Sequence, residues 1–213
     1  MDKSLEFWDK TIKNLNPLDS CYDGWLNKYF DGNFDKNTTV IELGCGWGDD
    51  TSFLAKTECK IASCDFSAEA INVIKILYPS VKLYQFNFLE TFPFESNSAN
   101  VIIGDLCLHY FNDQEMAQIL GEIQRVLVDD GLFLCRLNSN QDINFGAGQG
   151  IEISEGIYES DAGVKRYFDY GTIMRVFKEF RINYINEYIL KKYSKDKIVW
   201  EIGMTICTQE LVK

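Results

Sequence analysis

The sequence has a single histidine, no CxxC pair among its seven cysteines, and no run of eighteen apolar residues. Each shortage removes a class of protein. Without a long apolar run no segment reads as a membrane span, and the N-terminal MDKSLEFWDK spaces its charges too closely for a secretory leader. The chain is expected to be soluble and cytoplasmic. The cysteines (Cys21, Cys45, Cys59, Cys64, Cys107, Cys135 and Cys207) are odd in number and lack paired spacing, which argues against a disulfide scaffold or a zinc site, so no metal is expected. Basic residues are scarce as well: 21 Lys and Arg against 32 Asp and Glu give a net charge of -11 with no basic cluster. Such a surface disfavours phosphate backbones and anionic lipid, so neither DNA nor a membrane is an expected partner.

What remains is a chain of 213 residues, 46% of them hydrophobic, enough for one buried core. Residues 3 to 30 read as helical, with a break at Asn16-Pro17, a restart capped near Asp19 or Ser20, and an end at Gly32. Strand and helix then alternate. Strands are predicted at 39–43, 60–65, 81–86, 100–106 and 131–137, with helices from about Asp49 to Lys56, from Ser67 to Leu77, and after a capping pattern at NDQE, residues 112–115. That alternation means crossover connections and a parallel sheet. From Asn138 to about Tyr167 periodicity fails, and the stretch reads as an insertion over the sheet's edge; a loop so long is usually functional or disordered. A helix at 170–179 follows, then two β-rich segments separated by Ser194-Lys195-Asp196, which forces an antiparallel hairpin.

The segment VIELGCGWGDD, residues 40–50, places Gly44, Gly46 and Gly48 directly behind the first strand. A dinucleotide loop needs G-x-G-x-x-G so that a helix N-terminus can reach a pyrophosphate. Here the third glycine position holds Asp49, and Asp49 with Asp50 would repel a diphosphate. An amino acid tail suits the loop better: backbone amides can receive its carboxylate, and Glu42 offers charge to its ammonium group. Asp65, at the end of the next strand, stands about 20 residues on, where a carboxylate takes a ribose diol. The ligand therefore reads as an adenosine bearing an amino acid.

These residues resemble the class I S-adenosylmethionine-dependent methyltransferases. E-L-G-C-G-W-G (42–48), which includes Cys45, is similar to the family's first motif, and C-D-F-S (64–67) to its second, with Asp65 on the ribose and Phe66 against adenine. F-N-F-L-E (86–90) resembles the stretch after the third strand; Asn87 stands where an Asp is common, and the backbone at Phe88 would meet the adenine ring. G-D-L-C-L-H-Y-F (104–111), with Leu106 beside the cofactor, resembles the segment bordering cofactor and substrate. The resemblance implies a three-layer Rossmann-like α/β sandwich whose mostly parallel seven-stranded sheet ends in an antiparallel hairpin. It implies a helical N-terminal extension (1–35) covering the site, a methyltransferase domain (36–213) and a lid insertion (139–168). It also implies in-line transfer of a methyl group, leaving S-adenosylhomocysteine.

The acceptor side is less specified. His109 can act as general base or hold the following turn. Tyr110 and Phe111 can wall a pocket or plug the core. Trp25 can cover the cofactor or anchor its helix. Arg166 and Tyr167 can meet an acceptor carboxylate or fix the insertion. The absence of [DNS]-P-P-[YF] after the fourth strand speaks against amino methylation of a flipped DNA base. A small-molecule acceptor is expected, in a monomer or homodimer, with protein or RNA methylation and a non-catalytic cofactor-binding role as alternatives. A short-chain reductase would need Tyr-x-x-x-Lys on a helix. The pairs Tyr188/Lys192 and Tyr193/Lys197 fall instead in a predicted strand, where such residues stand about 13 Å apart, and across a turn.

Overall fold

Residues Thr39–Leu43 form β1, and their side chains alternate: Val40 enters one apolar layer, Ile41 and Leu43 the other. β2 is Lys60–Asp65, β3 is Lys82–Gln85, and β4 (Ala99–Asp105) repeats the alternation, with Ile102 on one side and Val101 and Ile103 on the other. In β5 (Leu127–Asn138), Phe133, Cys135 and Leu137 oppose Leu134 in the same way. Both faces of β1, β2, β4 and β5 are buried, while β3 at the edge is not, so helices and irregular chain must cover each side of the sheet's centre, as parallel sheets require. A computed structural model describes residues 3–14 and 21–206.

With β9 (Phe180–Leu190) and β10 (Lys197–Ile206) the sheet has seven strands in the order β3-β2-β1-β4-β5-β10-β9. β1 to β5 are mutually parallel; β10 runs against both β5 and β9. The hairpin follows from its short connection, and its geometry puts the β9–β10 turn at the carboxyl end of the parallel strands.

The helices are α1 (Lys3–Lys13), α2 (Asn27–Phe30), α3 (Asp49–Leu54), α4 (Ala68–Leu77), α5 (Asp113–Val126) and α6 (Tyr170–Val176). Their starts follow local chemistry. Asn112 and Glu115 form a reciprocal capping box on α5, at 3.0 and 2.9 Å, the Ser67 side chain caps α4, and Asp169 accepts from Thr172 N at 2.7 Å to cap α6. Each such cap contributes about 1 kcal/mol. α5 presents Met116, Ile119, Leu120, Ile123 and Val126 to the core, a helical spacing that buries one stripe. Among the described residues no helix is long and apolar enough to cross a membrane.

Two expectations are corrected. The helix expected to restart after Asn16-Pro17 and run to residue 30 does not form over 21–26: residues 21–23 have no regular structure, 24–26 form a bend and turn, and only Asn27–Phe30 is helical. The restart placed near Asp19 or Ser20 lies outside the described residues. The physical reason for the irregular path is long-range pairing of Asp23 and Trp25, given below. The stretch 139–168 is not a structureless loop over an edge strand. It forms an antiparallel sheet of β6 (Glu152–Ser154), β7 (Ile157–Ser160) and β8 (Gly163–Arg166), returning beside β5 through a Ser139–Phe168 bridge.

Arg136, fully buried in β5, ties these parts together. Its guanidinium grips Asp105 through two bonds of 2.7 Å, donates to Asp23 and to the Tyr188 hydroxyl, and lies 4.7 Å from the Trp25 ring centre. Trp25 Nε1 in turn donates to buried Asp50 at 2.9 Å. Removing one partner of a buried ion pair strands the others, at a cost of about 3–5 kcal/mol. Arg136→Leu is therefore expected to lower the unfolding free energy by that amount, read as a lower urea midpoint at an unchanged m-value. A loss below about 1 kcal/mol would show that the cluster does not hold the chain.

Candidate functional site

The strand order reverses between β1 and β4, so the chains leaving their carboxyl ends diverge and open a crevice. A cavity of about 620 Å³ fills it. Its floor is the glycine loop. Gly44 has φ +72°, and a Cβ there would lie 2.6 Å from Cys107 Cβ, so only glycine permits the chain to pass β4's end. At Gly46, φ +48°, a Cβ would meet nothing closer than 4.0 Å, and bare backbone faces the cavity. Leu106, just past β4, also has a positive φ of 50°, strained backbone of a kind that clusters at working sites.

The loop amides do not point outward as expected. Gly44 and Cys45 N–H donate to Cys64 O at 2.8 and 2.9 Å, Gly48 N–H to Cys45 O at 2.8 Å, and Gly46 N–H to Asp65 Oδ2 at 3.0 Å. Closing so tight a turn uses these donors internally, so they are not available to a carboxylate. What the floor offers is shape and buried carboxyl groups. Glu42 is buried, and its Oε2 accepts from Thr51 Oγ1 at 2.6 Å and Ser63 Oγ at 2.5 Å. Burial outweighs those bonds and pushes its pKa up to about 7. Burial, with Asp105 and Glu42 nearby, drives Asp50 well above the usual carboxylate range. Asp65 is raised by burial too, and accepts from Ser67 and Gly46 amides.

Glu42, Cys45, Asp65 and Phe66 line the cavity; so do Asn87, Phe88 and Leu106. Asn87 Oδ1 already accepts from Leu89 N–H at 3.0 Å, and Phe88 packs against Phe86, Phe92 and Phe111. His109, Tyr110 and Phe111 form part of the wall. His109 is 2% exposed, its Nδ1 has no partner among the described residues, and burial with Lys197 and Lys165 nearby holds its pKa well below 6.5. The ring is neutral.

Four expected residues lie off the cavity. Trp25 is buried behind the floor, where it holds Asp50. Gly48 sits at the start of α3, against Ile74. Arg166 donates to Asp113 Oδ1 at 2.6 Å, and Tyr167 donates to Phe145 O at 2.5 Å; both fasten the insertion.

Other residues enter unannounced. Trp8 of α1 lines the cavity and meets Tyr110 edge-on at 5.3 Å, while Trp47, inside the glycine loop, donates to Ile12 O at 3.4 Å. Lys165 comes from β8, and Lys192, Tyr193 and Lys197 from the hairpin turn. Trp47 was visible within the loop motif itself. The turn could have been placed from topology, since β9 must run parallel to β5 and so end at the crevice. Neither Tyr188 nor Tyr193 lies on a helix, as reductase chemistry would need.

Residues 40–131 match the model of a family described as "Methyltransferase domain". The tRNA N(3)-methylcytidine methyltransferase Mettl2 of Drosophila melanogaster is 27% identical over 61% of this chain and 44% of its own length. A probable S-adenosylmethionine-dependent methyltransferase of Mycobacterium tuberculosis is 27% identical over 54% of this chain and 40% of its own. The chain spans about half the length of the curated relatives it matches. A crystal structure of a SAM-dependent methyltransferase from Methanosarcina mazei superposes with a TM-score of 0.71, at 15% identity, over 84% of this chain and 96% of that one. Residues 40–131 are thus similar to a methyltransferase domain, and the fold is that of the class I, Rossmann-like α/β methyltransferases.

The Glu42 carboxyl yields a pH prediction. Its folded pKa, about 7, lies above its ordinary 4.5. The protonated form thus lends stability that is complete below 4.5 and is lost as pH rises through 7. In ligand-free protein, the stability difference between wild type and Glu42→Gln should fall by up to roughly 3 kcal/mol between about pH 4 and pH 8. Urea titrations at intervals across that range read it, and a constant difference would show that folding leaves the Glu42 pKa where it is in the unfolded chain.

Proposed function

We propose that the protein transfers a methyl group from S-adenosylmethionine to a small-molecule acceptor. What carries this reading is the division of one switch-point cavity into an acidic, bare-backbone floor and an aromatic chamber under α1 and the 139–168 insertion. The floor fits the donor. Gly46 leaves room against uncovered backbone, Asp65 stands at β2's end for the ribose hydroxyls, and Glu42 supplies charge for an ammonium group. Phe66, Asn87 and Phe88 border the adenine position, with Leu106 beside it, while Trp25 keeps Asp50 in place from behind.

When bound, S-adenosylmethionine supplies a methyl group already activated by the positive charge on its sulfur. The residues of the chain then have to orient the acceptor and keep water out. Trp8 and Tyr110 close one side of the chamber, Phe111 backs it, and the insertion serves as a lid through Phe145 and β8. Neutral His109 can accept a proton at Nδ1, and its position in the wall makes it the candidate base. Arg166 and Tyr167 keep the lid seated.

A tRNA acceptor is the second reading, favoured by the Drosophila relative. The net charge of -11 opposes it. Separate reactions on purified tRNA and on a small-metabolite extract, scored by S-adenosylhomocysteine formation, distinguish the two; product with tRNA alone would reverse the choice.

Calorimetry tests the donor site. S-adenosylmethionine should bind and NADH should not, and Asp65→Ala should weaken the donor at least tenfold, about 1.4 kcal/mol, with unchanged circular dichroism. Wild-type affinity in the variant would remove Asp65 from the site. His109→Ala should lower kcat by more than it lowers donor affinity. If activity and thermal stability fall together, His109 is structural.

A further inference from the structure

In an acidic protein, three lysines converge on the cavity, and they are not equivalent. Lys192 pairs with Asp49 at the glycine-loop end. Lys197, buried, pairs with Asp142 at 3.0 Å. Lys165 has no carboxylate within ion-pair range among the described residues. Its Nζ donates to the Phe145 carbonyl at 2.9 Å and lies 5.2 Å from the Tyr167 ring centre. Asp142, the carboxylate whose charge reaches it, is already paired with Lys197, so this half-buried ammonium is under-balanced, and burial with Lys197 nearby lowers its pKa to about 8 against the pull of Asp142. Lys165 is still mostly protonated at neutral pH.

A second observation points into the same end of the cavity. β8, which carries Lys165, packs on the 3-10 turn Leu108–Tyr110, and the buried His109 Nδ1 in that turn has no partner among the described residues. The surrounding wall is aromatic: Phe145 and Tyr193 lie 5.6 Å apart, with Trp8 and Tyr110 also lining the cavity.

We propose that the acceptor is an aromatic acid whose carboxylate seats against Lys165 Nζ beside His109, and that Lys165 selects it over neutral analogues. The inference rests on the methyltransferase reading and adds the acceptor's chemical class. A carboxylate supplies the counter-charge that Lys165 lacks, and the flat apolar body matches the walls. The glycine-loop end, where Lys192 is already paired, is left to the donor.

The test uses the full chain saturated with S-adenosylhomocysteine and titrated with matched probes: benzoate and benzamide, salicylate and salicylamide, cinnamate and cinnamamide. Each acid that binds should do so at least tenfold more tightly than its amide. Lys165→Met should cut that preference at least fivefold, Lys165→Arg should keep most of it, and both should bind S-adenosylhomocysteine within twofold of wild type. Acids and amides binding alike, no binding of any probe, or a preference that survives Lys165→Met would overturn the proposal. A loss of S-adenosylhomocysteine affinity in Lys165→Met would assign the lysine to the donor and overturn it equally. Failure of the wild type to bind S-adenosylhomocysteine is a distinct result, and it sinks the methyltransferase reading together with this one.

Discussion

The buried guanidinium of Arg136 is the constraint on which the site depends. It sits at the end of β5 and needs negative partners, because an unpaired charge there would cost several kcal/mol. Asp105, at the end of β4, supplies one, and Asp23, from the N-terminal segment, the other. The pairing therefore sets three things at once: where β4 ends, how the backbone leaves it through the strained Leu106, and where residues 21–26 lie. Trp25, held under the same guanidinium, fixes Asp50, and Asp49 beside it accepts from Cys21 N–H at 2.8 Å. The two carboxylates that would have repelled a phosphate are thus consumed by the cover of the floor.

That same network explains where sequence reasoning failed and where it worked. The strands were legible because each carries its burial in its own period: Val40 against Ile41, Val101 against Ile102. The capping box at Asn112 and Glu115 was legible because both partners lie within four residues. The path of 21–26 was not, since its partners are over 100 residues away in the case of Asp23 and Arg136. A helix-like apolar spacing there is outweighed by pairing that no local pattern displays. Strands β6 to β8 failed for a different reason: at three or four residues each, with β6 exposed and β7 and β8 mostly half-buried, they are too short and too evenly covered to impose alternation.

The glycine loop shows a subtler limit. Its spacing marked a tight turn, which the structure has at the cavity floor, but the role given to its amides did not follow. Four of them close the turn on itself and on Asp65, and the floor contributes space and buried carboxyl groups instead of amide donors. Positions of glycines are dictated by backbone geometry, which sequence expresses directly. Whether an N–H faces a ligand depends on which carbonyl the turn brings within reach, and Cys64 O, twenty residues from Gly44, is such a carbonyl.

Floor and roof are held by different kinds of interaction, and this determines which can move. The floor is continuous with the centre of the sheet, where β2, β1, β4 and β5 are each bonded on both sides and largely buried. The roof is not. α1 meets the rest through the largely exposed Lys13–Glu69 pair, the long Trp47–Ile12 bond, a Ser67–Asp9 bond and the Trp8–Tyr110 contact. An exposed pair contributes about 0–1 kcal/mol, and an edge-on aromatic contact about 0.5–1.5 beyond burial. Lifting α1 therefore costs far less than disturbing the glycine loop, which would break sheet bonds and drive Gly44 against Cys107. Opening is therefore cheapest on the side of α1, past Trp8, while the glycine-loop floor keeps its shape.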